Sequence, residues 1–180
     1  MSLFNLSYKN LNELPENQEA YIFGIFSDSG ITEKFKDAHP KLSKKLNLAI
    51  ENGEFEGKLN QVMVMYSPDC DTAKRYMAIG LGESKKYTAD YLRQTSATAA
   101  KKCIDLKLST FAIEFMGEDL LEIEDAQALA EGLVMGSYRF LNYKKQADDT
   151  YAGIQSVIAT ANANLTDALD YGMKISGGVV

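Results

Sequence analysis

One histidine, His39, and two cysteines, Cys70 and Cys103, are the groups in this 180-residue sequence that first invite a chemical reading. His39 precedes Pro40, and a residue before proline is driven to extended backbone. It therefore reads as a loop histidine at the surface. With one histidine, spacing builds no Ser-His-Asp or Cys-His pair, and the strings HExxH, DxDxDG and GxSxG are absent. Asp69, Cys70 and Asp71 hold metal-binding atom types, but they are adjacent in a turn led by Pro68, and adjacent side chains point apart. The acids from Glu118 to Asp125 suit a solvated loop running into a helix N-terminus, where negative charge is favourable by roughly 0.3–1 kcal/mol per residue. Gly80-Leu81-Gly82 has the look of a phosphate-cradling turn. The third glycine of that pattern would fall at Lys85, and no acid closes the next strand near Phe115-Met116-Gly117 to hold a ribose. A plain strand-to-helix turn is the reading. No catalytic, cofactor-binding or metal-binding residue is assigned.

The elements that would have to position such groups follow from patterning. A net charge of −6, with 11 basic against 13 acidic residues in 1–90 and 8 against 12 in 91–180, leaves neither half basic. Nucleic-acid binding draws mainly on Lys and Arg, so nucleic acid is not an expected partner, nor is an anionic membrane. Two cysteines without a CxxC spacing form no disulfide framework, and reduced thiols imply a cytoplasmic setting. The N-terminus lacks the basic and apolar regions of a signal peptide. No apolar run approaches the length of a transmembrane helix.

Along the chain, Leu3 to Tyr8 alternates as an opening strand, Asn10 to Glu19 with Pro15 reads as a loop, and Ala20 to Phe26 is a continuous apolar run fit for a buried strand. Leu42, Leu46 and Ile50 recur at helical spacing, and Asn52-Gly53 closes that helix. Val62 to Tyr66, followed by a Ser67-Pro68-Asp69 turn, and Tyr76 to Gly82 read as strands pairing as a hairpin through the polar connection at 67–75. Thr88 to about Lys107 reads as a helix with Thr88 as N-cap, Leu92, Ala99, Cys103 and Leu106 near one face, and alanines that keep it slim. Thr110 to Phe115 is a further strand, Tyr151 to Thr160 the last one, and Leu165, Leu169 and Met173 mark a final helix. Alternation of this kind implies an α/β sandwich with a mixed sheet.

The helix before residue 139 is unusual. Ala126, Leu129, Ala130, Leu133, Gly136, Phe140 and Leu141 share one face, the sheet-facing side. Gly132 and Gly136 each cost about 1 kcal/mol relative to Ala, a cost that close backbone approach would offset. Val134, Met135 and Tyr138 lie off that face, so a second side of the helix is covered. A thicker core and a contact with another domain or protomer both account for this. Val134, Met135 and Tyr138, with Arg139, Tyr143 and Lys144 in the tail, are the candidate inter-domain or protomer contact.

Tyr76-Met77-Ala78-Ile79-Gly80-Leu81-Gly82, then Thr88-Ala89-Asp90-Tyr91-Leu92-Arg93, then Glu131-Gly132-Leu133-Val134-Met135-Gly136-Ser137-Tyr138-Arg139-Phe140 with Tyr143-Lys144 downstream resembles the N-terminal domain of the leucyl aminopeptidases, the M17 peptidases. The resemblance is firm from about Tyr76 to Val180 and looser before that. It implies a mixed-sheet three-layer α/β sandwich similar to the macro domain. It further implies a non-catalytic domain over residues 1–163, with residues 164–180 beginning a connector helix to a C-terminal catalytic domain. The terminal Gly177-Gly178-Val179-Val180, with no polar tail, fits such a continuation, the alternative being a last strand or packed tail. In the family the catalytic domain removes N-terminal residues, often leucine, from peptides with two divalent metals, Zn or Mn, held by a lysine and acidic residues. None of those motifs is in this chain, so the chain alone is expected to be inactive. The N-terminal domain would serve assembly of the oligomer, commonly a hexamer, and access to its interior. The competing readings are a free-standing macro-like module binding ADP-ribose or a related nucleotide, and an unrecognised small hydrolase, which the lack of a nucleophile–base pair disfavours.

Overall fold

The computed structural model describes residues 4–9, 13, 15, 18–66, 73–114, 123–138, 151–160 and 166–177. The chain runs β1 (Asn5–Lys9), β2 (Ala20–Phe26), α1 (Glu33–Ala38), α2 (Pro40–Glu51), β3 (Val62–Tyr66), β4 (Arg75–Gly82), α3 (Ala89–Asp105), β5 (Thr110–Glu114), α4 (Ile123–Ser137), β6 (Ser156–Thr160) and α5 (Thr166–Gly177). The strands form one sheet in the order β1-β6-β5-β2-β4-β3. All neighbours are parallel except β3, which pairs antiparallel with β4 as the hairpin reading required. A mixed sheet with helices on both faces is the three-layer α/β sandwich expected.

Strand alternation sorts the apolar residues into two cores. Ile22, Met77, Ile79, Leu81, Phe111, Ile113, Val157 and Ala159 face α3, α4 and α5. Tyr21, Phe23, Ile25, Tyr76 and Ala78 face the other way, against Phe35 of α1 and Leu42 and Leu46 of α2. Both sides of the central strands are thus covered, which is why β2 and β4 read as unbroken apolar runs. Local signals place the helices. The Thr32 and Thr88 side chains accept from the Phe35 and Tyr91 backbone N–H groups at 3.3 and 3.4 Å, capping α1 and α3. Pro40 opens α2, where its missing N–H costs nothing.

Three expectations change. The strand expected over Tyr151 to Thr160 is only Ser156–Thr160. β5 starts at Thr110, opposite Ser156, so nothing upstream on β6 has a β5 partner. Residues 151–155 approach irregularly instead, with Gly153 at φ 97° and the Tyr151 hydroxyl donating to the Leu108 carbonyl at 2.6 Å. α5 is also part of this domain's own core: Ala168 and Leu169 are buried, and Gly172 lies against Ala130 and Gln127 of α4. Asp125, read among solvated acids, is buried, while Ile123 at the start of α4 is exposed. Leu3, most of the 10–19 loop, the turn at 67–69, Phe115, the acids at 118–122, Phe140, Leu141, Leu165 and the terminal Gly178-Val179-Val180 lie outside the described residues.

Candidate functional site

α4 is the middle helix of its layer. Glu124 and Asp125 occupy its first turn, where the helix dipole favours acids. Ala126, Leu129, Ala130 and Leu133 join the core shared with the sheet. On one flank α4 meets α3 through its two glycines. A Cβ at Gly132 would collide with the Arg93 carbonyl oxygen and lie 2.8 Å from Ser96 Cβ, and one at Gly136 would lie 2.6 Å from Ala97 Cα. On the other flank, a Cβ at Gly172 of α5 would lie 2.8 Å from Ala130 Cβ. Close helix contact on both sides offsets the propensity cost of the glycines. An ion pair locks the first flank: Arg93 Nε donates to Glu131 Oε2 at 2.7 Å, and Gln127 Nε2 donates to Glu131 Oε1 at 2.8 Å.

This geometry divides the candidate contact residues. Val134 is 2% exposed and belongs to the domain's own core. It is withdrawn from the contact surface, because the wide apolar girth of α4 is covered by α3 and α5 within the chain. Met135 and Tyr138 are 62% and 46% exposed, at and just past the end of α4. Arg139, Tyr143 and Lys144 lie outside the described residues. Sequence reading missed Tyr171 and Ile175 of α5, which are 56% and 39% exposed. Their spacing held the signal: Tyr171 lies two residues past the inward Leu169 and Ile175 two past the inward Met173, about 200° around the helix in each case.

Gly80 and Gly82 sit inside β4 rather than in a turn beyond it. A Cβ at Gly80 would collide with the Lys58 carbonyl oxygen and lie 2.7 Å from the Gly57 carbonyl carbon. The Gly80 N–H donates to the Gln61 carbonyl at 2.8 Å, and its carbonyl accepts from the Asn60 N–H at 2.9 Å. The glycine lets the 57–61 segment cross the strand. Cys103 is a free thiol buried in the core, pushed up in pKa by that burial and by the Glu19 charge, which leaves it unreactive. Asp69, Cys70 and Asp71 lie outside the described residues. Among the described residues, no group of three or more His, Cys, Asp and Glu side chains converges as metal ligands would, and no helix is long and apolar enough to cross a membrane.

His39 departs most from its sequence reading. It is half-buried, with its ring 5.0 Å from Phe35, 5.5 Å from Tyr21 and 6.3 Å from Tyr76, centroid to centroid. Burial holds its pKa below the usual imidazole value. Its backbone N–H donates to the Phe35 carbonyl at 2.8 Å, and its carbonyl accepts from Ser43 N and Oγ at 2.9 and 2.8 Å. Behind it, the Tyr21 hydroxyl donates to Glu114 Oε2 at 3.1 Å.

The family model for the cytosol aminopeptidase family, N-terminal domain, matches residues 22–147. A probable cytosol aminopeptidase of Roseiflexus castenholzii is 36% identical over 105 residues, covering 57% of this chain and 21% of that protein. The chain spans about a third or less of the length of the curated relatives it matches. Among solved structures, a tomato leucine aminopeptidase variant superposes with a TM-score of 0.79 at 16% identity, over 98% of this chain and 37% of that one. The macrodomain of Mycobacterium tuberculosis DarG superposes with a TM-score of 0.63 at 13% identity, over 88% of this chain and 99% of that one. These two likenesses describe the fold.

Proposed function

Because the chain belongs to the cytosol aminopeptidase family, as its N-terminal domain, we propose that it is the non-catalytic front domain of a longer aminopeptidase. The family match over residues 22–147 carries this reading, and the relatives' greater length supports it. The parent enzyme acts in the cytoplasm and removes N-terminal residues, leucine by preference, from peptides. Two divalent metals, Zn or Mn, held by a C-terminal catalytic domain would polarise the scissile carbonyl and lower the pKa of the attacking water. This chain contributes no group to that step. Its work is assembly: α5 leads toward the catalytic domain, and the exposed Met135 and Tyr138, with Arg139, Tyr143 and Lys144 beyond them, form the contact to that domain or to another protomer of a hexamer, which also controls access to the interior. Exposed Met and Tyr are residue types that interfaces favour.

The gene tests the reading. Its frame must continue past the Val180 codon into a domain bearing clustered acids and a lysine, and a stop codon there would refute the proposal. In the longer protein, Met135→Asp with Tyr138→Asp shifts the light-scattering mass from hexamer to smaller species. An unchanged mass would remove these two residues from the contact.

A second reading, a module binding ADP-ribose or a related nucleotide, draws on the superposition over nearly the whole DarG macrodomain. Calorimetry with ADP-ribose separates the two. Micromolar binding would favour the nucleotide module, and no heat is the result the aminopeptidase reading expects.

A further inference from the structure

We infer that His39 makes the α1–α2 cover of the sheet acid-labile: a proton taken up from solvent by its ring drives the imidazole out of the aromatic cluster and loosens both helices. The residue sits where this has leverage. It closes α1 through its N–H and starts α2 through its carbonyl, so one residue joins both helices. Its Nε2 is buried and has no hydrogen-bond partner among the described residues. A neutral imidazole can leave a lone pair at that position, but an imidazolium places an N–H there with neither water nor a hydrogen-bond acceptor to receive it.

The groups facing His39 offer little compensation. β2 presents Tyr21 and β4 presents Tyr76, α1 presents the apolar Phe35, and the Ser43 hydroxyl of α2 is committed to the His39 carbonyl. The Glu114 carboxylate of β5 accepts the Tyr21 hydroxyl. Among the described residues no ion pair involves His39. The facing aromatic rings would attract a cation, but burial strips water from the charged form and lowers the His39 pKa.

The sign follows from linkage. A histidine whose folded pKa lies below its unfolded value binds more protons when released than when docked. The stability it contributes is complete above about pH 6.5 and is lost as pH falls from there toward the folded pKa. In that window the opening constant of the cover rises by up to about tenfold per pH unit, then levels off.

His39 is the sole histidine of the chain, so its ring proton resonance is unambiguous in an NMR titration. The inference expects its midpoint below 6.5. Amide protection of α1 and α2, corrected for intrinsic exchange, should fall between pH 6.5 and 5 while that of α3 and β5 holds. His39→Phe, which keeps a ring in place without a titrating group, should flatten the pH dependence. A midpoint at or above 6.5 overturns the inference, as does a His39→Phe protein with unchanged pH dependence. The titration of the unaltered chain decides the matter should the variant fail to fold.

Discussion

Gly132→Ala tests the packing of α4 most sharply, because propensity and packing push in opposite directions. Alanine gains about 1 kcal/mol over glycine in a helix interior. Its methyl group, however, would collide with the Arg93 carbonyl oxygen and lie 2.8 Å from Ser96 Cβ. A backbone carbonyl cannot rotate aside as a flexible side chain does, so α3 and α4 must move apart. Overpacking of this kind costs about 1–3 kcal/mol and sometimes more, and here the separation also stretches the 2.7 Å Arg93–Glu131 pair. With the upper value and the propensity gain subtracted, the net loss is about 2 kcal/mol. At roughly 2–4 °C per kcal/mol for a chain of this size, the melting temperature falls by about 4–8 °C. Urea unfolding of Gly132→Ala beside Met135→Ala, an exposed site on the same helix, isolates the effect. The control should stay within about 0.5 kcal/mol of the parent. Gly132→Ala with Gly136→Ala should lose less than the sum of the singles, since one separation relieves both clashes. A Gly132→Ala protein as stable as the parent, or more stable, would refute the close approach.

Other substitutions probe the frame around that helix. Glu19 accepts from the Ser109 and Thr110 backbone N–H groups at 2.7 and 2.9 Å; Glu19→Ala should cost about 2 kcal/mol in urea unfolding by leaving both donors unpaired, and Glu19→Gln should cost less. Thr88→Ala removes the α3 cap and should cost about 0.5–1 kcal/mol, at the low end because the bond is 3.4 Å long.

Local order was legible where local chemistry decides it. The apolar runs at Ala20–Phe26 and Tyr76–Gly82, the cap at Thr88 and the stop at Asn52-Gly53 all have causes within a few residues. The paired glycines of α4 signalled close approach, though not which helices approach. What escaped depends on distant partners. Pro40 pointed to extended backbone at His39, but the residue sits at φ −134° and ψ 62°, outside the extended region, where it ends α1 and begins α2, and the rings around it arrive from residues 21, 35 and 76. Val134 read equally as core or as an outside contact because a helical wheel shows how much of a helix is apolar and not which neighbours cover it; two helices of the same chain flank α4 here. The strand before Ser156 looked longer because its length is set by where β5 begins. As for exposed apolar residues, the wheel marked Met135 and Tyr138 as off the main face of α4, whereas Tyr171 and Ile175, exposed on α5, were obscured by attention to the inward face of that helix.

A domain whose chemistry belongs to another part of the protein should be inert by itself. The most direct measurement is hydrolysis of leucine p-nitroanilide by the purified 180-residue chain with Mn²⁺ or Zn²⁺ supplied. The account predicts a rate equal to the metal-only blank; robust turnover above that blank would contradict it.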